Sequence, residues 1–168
     1  MKAVETVYLS LGSNEGDRHA NMAAAIAELR KLPGVEVAAV SSMYCAAPVG
    51  MKKDAAPFLN CVMELRTAME PLELLDRLEE IEVSLGRRRK GLPADRIIDI
   101  DILLYGSRVV ALPRLSVPHP RMARRRFVLE PLAEIAPRLL HPVLKQTIAA
   151  LNALAADQQV TRERPVPA

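Results

Sequence analysis

The sequence has no tryptophan, two phenylalanines and three tyrosines. So few aromatic rings argue against a protein that binds single-stranded nucleic acid, because such proteins stack bases on aromatic side chains. Cys45 and Cys61 have no C-x-x-C spacing and no histidine nearby, so we expect reduced core thiols rather than a disulfide framework, a zinc site or a redox centre. No uncharged apolar run approaches the roughly 18–20 residues of a membrane helix, and Glu5 interrupts any signal-peptide pattern. We therefore expect a cytoplasmic protein with no membrane contact.

The charge is nearly balanced, with 23 Lys and Arg residues against 20 Asp and Glu residues and a formal net charge of +3. The cations are nevertheless clustered, since nine of the 23 lie within residues 87–96 and 121–126. Such clustering indicates a local anion site rather than a generally basic protein. The glycine-rich sequences G-x-x-x-x-G-K-[ST] and G-x-G-x-x-G are both missing. Any phosphate must therefore be held by side chains rather than by a glycine cradle.

A chain of 168 residues is long enough for one domain, which we place at residues 1–156, with residues 157–168 as a polar tail that frays. The hydrophobic periodicity predicts the order β-α-β-β-α-β, followed by a helical extension. The predicted strands and helices are the strands 4–11, 35–40, 58–65 and 97–105, the short return strand 109–112, and the helices 18–32, 70–85, 122–135 (interrupted near Pro131) and 145–156. This order predicts an α+β protein of the ferredoxin-like type, an antiparallel sheet backed by two helices.

The sharpest local signal is the acid pair Asp99 and Asp101 within Ile97-Ile98-Asp99-Ile100-Asp101-Ile102-Leu103. On a strand these two carboxylates point the same way, about 6.5–7 Å apart, while the isoleucines fill the core. An isolated D-x-D is more often a solvated polar face. Here Arg96 and a basic loop precede the pair, and carboxylates beside guanidinium groups are what a Mg²⁺–polyphosphate site requires. We therefore favour the metal site.

The remaining candidates each have an ordinary alternative. The basic loop is either a solvated surface, a contact for nucleic-acid phosphates or, as we favour, a site for a nucleoside triphosphate. His119 lies between two prolines and is either a phosphate donor or a buried structural histidine, whereas His19 and His141 are assigned structural roles. Phe58 and Phe127 are either core residues or the faces that grip a flat heteroaromatic substrate.

Several short motifs occur together in an order that resembles one enzyme family, 6-hydroxymethyl-7,8-dihydropterin pyrophosphokinase of folate biosynthesis. The resemblance covers about residues 4–142, and the combination is far more specific than any single motif. The motifs are Leu11-Gly12-Ser13-Asn14 with Gly16-Asp17-Arg18, Pro48-Val49-Gly50, Phe58-Leu59-Asn60, Ile81-Glu82 with Gly86-Arg87, Arg96 to Leu103, and Val117-Pro118-His119-Pro120-Arg121-Met122 with Arg125, Phe127-Val128-Leu129 and Pro131-Leu132.

The resemblance implies a ferredoxin-like fold and the transfer of pyrophosphate from the co-substrate ATP to the pterin hydroxymethyl group, with release of AMP. Asp99 and Asp101 match the pair that binds two Mg²⁺ ions, and Arg87 and Arg96 match two catalytic-loop arginines that also contact ATP. Four further positions match nucleotide or phosphate contacts, namely Arg114, Ser116, His119 and Arg125. No side-chain nucleophile is implied, and we expect a monomer that acts on two small molecules and binds no nucleic acid.

The pterin-binding positions of the family also have counterparts here. Phe58 and Phe127 match the aromatic pair that sandwiches the pterin, and Asn60 matches the amide that reads its edge. Ala46 and Val49 fall where main-chain atoms complete that reading. Glu82 matches a family position whose role stays open.

One stretch departs from the family pattern. The family usually carries Trp and then Gly-Pro before the second arginine and Thr after it, whereas here residues 92–95 (Leu-Pro-Ala-Asp) precede Arg96 and Ile97 follows. The departure leaves two alternatives open beside the pyrophosphokinase. One is a divergent paralogue that acts on another pterin alcohol or is inactive, and the other is a non-catalytic nucleotide- or RNA-binding module.

Overall fold

A six-stranded antiparallel sheet forms the centre of the protein, seen in a computed structural model that describes residues 2–46, 57–86 and 97–163. A 3₁₀ turn at Met122–Arg124 precedes the third helix. The strands and helices, in chain order, are β1 Glu5–Ser13, α1 Arg18–Lys31, β2 Val35–Val40, β3 Tyr44–Ala46, β4 Phe58–Thr67, α2 Pro71–Ser84, β5 Asp99–Tyr105, β6 Val110–Leu112, β7 Leu115–Val117, α3 Arg126–Ile135, α4 Ile148–Leu154 and β8 Val160–Arg162. The predicted α+β class with an antiparallel sheet is confirmed.

The sheet has the order β5-β1-β4-β3-β8, and β2 also pairs with β4. Residues 109–112 were expected to return along the preceding strand, but β6 pairs with β7 in a separate two-stranded sheet. The edge of β5 is already used, because the Ile100 amide donates to the Glu82 carboxylate and the Leu103 carbonyl accepts from the His119 amide. Paired groups of this kind leave less of the edge for another strand.

Helices α1 and α2 cover one face of the sheet. Helix α1 begins after Asp17, whose carboxylate accepts from the Ala20 amide at 3.0 Å. Helix α2 begins at Pro71 with a capping box formed by Glu70 and Glu73. Apolar side chains of both helices pack on β1, β4 and β5 in one continuous core, which includes Leu11.

No helix in the described part of the chain is long and apolar enough to cross a membrane.

Helices α3 and α4 pack on the opposite face in a second apolar cluster. Helix α3 runs through Pro131 rather than breaking there, and the chain instead bends at Arg125, where φ is −120° and ψ is 103°. The buried Leu129 and its neighbours hold this helix, and one proline removes only one helical hydrogen bond. Helix α4 begins later than expected because Lys145 has a φ of 57°, which a right-handed helix cannot contain. Thr147 caps the helix instead.

Part of the C-terminal segment that was expected to fray, Val160–Arg162, forms strand β8 of the sheet. Strand β8 pairs with β3, with Ala46 opposite Val160, and the Glu163 amide donates to the Met43 carbonyl at 2.8 Å. The Gln158 side chain also accepts from the Arg126 amide at the start of α3. A short edge strand such as β3 offers unpaired backbone groups, and β8 satisfies them.

Candidate functional site

A row of polar and small residues crosses the sheet on the face that carries α3 and α4. Gly12 in β1 lies opposite Asn60 in β4 on one side and opposite Asp99 in β5 on the other. Directly paired residues of antiparallel strands share a face of the sheet. The apolar cluster under α3 and α4 uses Tyr8 and Val62 on this face, and it does not include the row. The row continues this face of the sheet beyond the apolar cluster.

Gly12 is a point of close approach between side chains. A Cβ atom at this position would lie 2.9 Å from Asn60 Oδ1 and 3.6 Å from Phe58 Cδ1. The Asn60 side chain is buried, and its Nδ2 donates to the Phe58 carbonyl at 3.4 Å. The two predicted pterin-binding side chains Phe58 and Asn60 thus lie together over Gly12. Gly12 belongs to the motif Leu11-Gly12-Ser13-Asn14, for which no role of the glycine was predicted.

The two aspartates stand at the β5 end of this row. Asp99 is paired with Gly12 and Asp101 with Ser10, and both aspartates are half-buried. The expected alternation is confirmed, because Ile98, Ile100 and Ile102 are buried in the core under α1 and α2. Strand β5 therefore holds both carboxylates on the face of the row.

Glu82 anchors the strand that carries the acid pair. Its side chain is only 1% exposed, and Oε2 accepts from the Ile100 amide at 2.9 Å. Ile100 is the residue between Asp99 and Asp101, so a carboxylate from α2 fixes the backbone between the two candidate metal ligands. This contact gives Glu82 a structural role that sequence analysis left open.

Arg114 and Ser116 are held on the β6–β7 hairpin. The Arg114 guanidinium donates to Asp76 at 2.7 Å and to Glu79 at 3.0 Å, both on α2. These two carboxylates, Asp76 foremost, raise the pKa of Arg114. Ser116 is exposed and lies opposite Ala111. Arg114 therefore pairs with α2 in this structure and not with the row.

The other predicted nucleotide contacts precede α3. The His119 amide donates to the Leu103 carbonyl at 2.9 Å, and its Nδ1 accepts from the Arg121 amide at 3.2 Å. The Arg125 guanidinium stacks on the Phe127 ring, 5.5 Å from its centroid, and Phe127 packs at the margin of the α3/α4 cluster. His119 is thereby attached to β5 at Leu103, two residues beyond Asp101.

Three predicted site residues, Val49, Arg87 and Arg96, lie outside the described residues. Ala46, the remaining predicted pterin contact, is buried at the end of β3 and is paired with Phe58. The structure therefore brings Ala46, Phe58 and Asn60 together across β3 and β4.

Glu134 is a residue of this region that sequence analysis missed. Its carboxylate accepts from the Ser42 amide at 2.8 Å, from the Ser42 hydroxyl at 3.2 Å and from the Tyr44 hydroxyl at 2.6 Å. Burial, followed by this bond to Glu134, raises the pKa of Tyr44. The contacts tie β3 to α3 across about 90 residues of sequence, a separation for which a single sequence gives no periodic signal.

Cys61 lies in the core as expected, whereas Cys45 is half-buried, and the two other histidines bond within the fold. Both cysteines are free, and burial raises the pKa of Cys61 to about 12. His141 is buried, its Nδ1 accepts from two backbone amides of the following turn, and burial lowers its pKa. His19 bonds to Glu163 at 2.9 Å.

Known proteins resemble the chain in sequence and in fold. A 2-amino-4-hydroxy-6-hydroxymethyldihydropteridine pyrophosphokinase of Bacillus subtilis is 46% identical over 128 residues, which is 76% of this chain and 76% of that protein. The protein of the same name from Pseudomonas aeruginosa is 42% identical over 139 residues, 83% of this chain and 85% of its own length. The solved structure of wild-type Plasmodium falciparum HPPK-DHPS with pteroate has a TM-score of 0.74.

That solved protein is 16% identical to this chain and has the same fold. The match covers 92% of this chain but only 43% of the solved protein, so this chain spans less than half of the solved protein's length. Residues 8–137 match the family described as 7,8-dihydro-6-hydroxymethylpterin-pyrophosphokinase (HPPK). The match covers more than half of the sequence and includes the row, the acid pair and α3. The chain therefore belongs to the HPPK family and is a pyrophosphokinase.

Proposed function

We propose that this protein transfers pyrophosphate from ATP to the hydroxyl group of 6-hydroxymethyl-7,8-dihydropterin in folate biosynthesis. The hydroxymethyl oxygen forms a bond to the β-phosphorus of ATP, and the bond from that phosphorus to the oxygen of the α-phosphate breaks. AMP leaves with that oxygen and the bonding electron pair, and the hydroxyl proton passes to water. No covalent intermediate with a side chain is involved, so positioning and charge neutralisation supply the catalysis.

One observation carries the proposal, namely the row in which Asn60, Gly12 and Asp99 lie side by side. Its β4 end offers an amide and an aromatic ring, which suit a flat heterocycle with hydrogen-bonding edges. Its β5 end offers two carboxylates, which suit a metal-bound polyphosphate. Strands in a sheet are about 4.8 Å apart, so the two ends are close enough for a pterin hydroxyl to meet a phosphate.

The acid pair fits Mg²⁺. No cluster of three or more histidine, cysteine, aspartate or glutamate side chains in the described ranges is placed to hold a metal ion. A pair of carboxylates suits Mg²⁺ bound with a nucleotide, because this ion usually takes one or two carboxylates and completes its shell with phosphate oxygens and water. Asp99 and Asp101 would hold two ions, and the chemistry supplied there is neutralisation of the triphosphate and a lowered pKa of the pterin hydroxyl.

The basic residues have the complementary role in the proposal. Arg87 and Arg96 neutralise charge that develops on the transferring group and on AMP, and Arg114, Ser116, His119 and Arg125 bind the nucleotide. The attachment of His119 to β5 supports its place near the phosphates, because the same strand carries Asp99. Phe127 provides the second aromatic face for the pterin, opposite Phe58, and the main chain at Ala46 and Val49 completes the pocket.

The fold type, the oligomeric state and the cellular location of the enzyme are part of the same proposal. The sheet order of β5, β1, β4 and β2, with α1 and α2 on one face, supports the proposal of a ferredoxin-like fold. We infer a monomer, because one chain supplies every residue of the proposed site. A cytoplasmic location agrees with free thiols such as Cys61 and with the supply of ATP and Mg²⁺.

An assay of AMP formation tests the proposal. Purified protein, ATP and Mg²⁺ should release AMP only when hydroxymethyldihydropterin is present, with one AMP for each pterin consumed. Release of ADP instead, or equal AMP release without the pterin, would refute pyrophosphoryl transfer to this substrate. Activity with a different pterin alcohol alone would assign the chain to the divergent paralogue.

Two variants connect the assay to the site. Phe58→Ala and Phe127→Ala should each weaken pterin binding more than ATP binding, because stacking on an aromatic face contributes on the order of 1–3 kcal/mol. Equal loss of affinity for both substrates, or unfolding, would indicate that these two side chains serve only the core.

A further inference from the structure

Arg18 joins the two strands that carry the proposed pterin pocket. This half-buried residue is the first of α1 and lies outside the row itself. Its Nη1 donates to the Pro57 carbonyl at 2.8 Å and lies 3.6 Å from Cys45 Sγ. Cys45 belongs to β3 and Pro57 immediately precedes β4, so one guanidinium group contacts both of these chain segments.

The two contacts of Arg18 are each adjacent to a proposed pterin contact. Cys45 precedes Ala46, and Pro57 precedes Phe58, while Ala46 and Phe58 are themselves paired across the two strands. Strand β3 is only three residues long. A pairing this short fixes the relative position of its strands weakly, because each backbone hydrogen bond adds only about 0.5–1.5 kcal/mol. A charged donor that bonds the Pro57 carbonyl therefore adds a substantial part of the constraint.

We propose that Arg18 is a positioning residue for the pterin. It holds the beginning of β4 against β3, so that the Phe58 ring and the Ala46 main chain keep the spacing that the flat substrate needs. The proposal rests on the proposed function, and Arg18 itself touches no substrate. Its position also explains why a charged side chain occupies the start of α1, where the helix dipole disfavours a cation.

The other attachments of β3 do not replace this contact. Glu134 binds the beginning of the strand through Ser42 and Tyr44, and β8 pairs along its outer edge. Arg18 acts on the inner side, where the chain enters β4. Loss of Arg18 should therefore alter the pocket while the rest of the fold is retained.

The test compares Arg18→Gln and Arg18→Lys with Arg30→Gln, a matched control. Arg30 is an exposed arginine in the last turn of the same helix. In the AMP assay, Arg18→Gln should raise KM for the pterin about ten-fold, the effect of losing one charge-assisted hydrogen bond, and KM for ATP should change less than about two-fold. Arg18→Lys retains a donor for the Pro57 carbonyl and should recover part of the loss. Arg30→Gln should match the wild-type protein.

Hydrogen exchange supplies a readout that is independent of the substrate. The amides of β3 and of Phe58 to Asn60 should exchange faster in Arg18→Gln than in Arg30→Gln, with the core amides of β1 unchanged. Wild-type exchange rates at these amides would overturn the proposal, as would equal increases of both KM values. If the wild-type protein did not use hydroxymethyldihydropterin at all, the proposed function would fail, and the exchange measurement would still decide whether Arg18 holds the two strands together.

Discussion

Replacing Gly12 with alanine should separate stability from substrate binding. The new Cβ would lie 2.9 Å from Asn60 Oδ1, closer than van der Waals contact allows, and Gly12 does not have the left-handed backbone that disfavours alanine. The backbone can accept the methyl group, so the Asn60 side chain must move. Its hydrogen bond to the Phe58 carbonyl is long, at 3.4 Å, and offers little resistance.

Two opposing effects set the expected stability of Gly12→Ala. Alanine restricts the unfolded chain and stabilises the protein by about 0.4–1 kcal/mol, whereas crowding at a buried position costs about 1–3 kcal/mol when neighbours cannot adapt. Because Asn60 can rotate away, we expect the two effects to cancel within about 1 kcal/mol. That difference corresponds to a shift in Tm of only about 2–4 °C for a chain of this length.

Gly12→Ala should weaken pterin binding much more than it changes the stability of the protein. Rotation of Asn60 removes its amide from the row, and the loss of one or two hydrogen bonds raises the pterin Kd by at least about ten-fold. The affinity for ATP should stay within about two-fold. Thermal unfolding and calorimetric titrations with hydroxymethyldihydropterin and with a non-hydrolysable ATP analogue measure all three quantities.

A double-mutant cycle with Asn60→Ala identifies the cause. If the displaced amide is responsible, Gly12→Ala should change pterin affinity little once Asn60 is alanine, so the two effects are strongly non-additive. Additive effects would show that Gly12 acts through something other than Asn60. Wild-type pterin affinity in the single variant Gly12→Ala would refute the reasoning altogether.

The other predictions concern charged groups around the row. Asp99→Asn and Asp101→Asn should each lower turnover at least about 100-fold. The Tm should be unchanged or slightly raised, because each change removes a like-charge neighbour. Near-wild-type turnover at limiting Mg²⁺ would contradict the metal assignment. Glu82→Ala removes the carboxylate that accepts from the Ile100 amide and should lower the free energy of unfolding by about 1–3 kcal/mol in denaturant titrations. Glu82→Gln retains an acceptor and should lose less than half of that. Asp76→Asn should release Arg114 in part and lower KM for ATP by up to about three-fold at low salt, an effect that added salt should weaken; an unchanged KM would mean that Arg114 does not bind the nucleotide.

The predictions from sequence succeeded where the signal is local and periodic. The alternation around the acid pair correctly assigned Ile98 and Ile100 to the core, because consecutive side chains on a strand face opposite sides. Helix α1, predicted at residues 18–32 from its apolar spacing, is observed at Arg18–Lys31. Each of these features depends on neighbours within a few residues, so a single sequence contains the necessary information.

The errors concern features that depend on distant partners. Strand β8 is polar and was assigned to a fraying tail, because its pairing with the distant strand β3 has no local signal in the sequence. The hairpin of β6 and β7 was misplaced for a similar reason, since the edge of β5 is used by Glu82 from a helix earlier in the chain. Pro131 was given too much weight, because the packing of α3 outweighs one missing hydrogen bond.

The same limit applies to the candidate site. Asp99 and Asp101 could be chosen because their spacing has a chemical meaning at short range. Arg18 could not, because its importance lies in a bond to Pro57, which is 39 residues away. Glu134 is a further example, since its partners in β3 are about 90 residues distant. Positioning residues of this kind have no characteristic neighbours in sequence, and only the folded chain identifies them.

The side chains of β1 show how one strand builds both the core and the site. Toward α1 and α2 it directs Leu9 and Leu11, which are large and fully buried. On the opposite face the side chains become smaller along the strand, from Tyr8 under α3 and α4 to Ser10 and then Gly12. Small residues there leave depth above the sheet for the groups that β4 and β5 contribute on either side. A strand with large side chains on one face, and side chains that become smaller toward a glycine on the other, therefore indicates the floor of a ligand site. This size gradient is visible in the sequence once the faces are known.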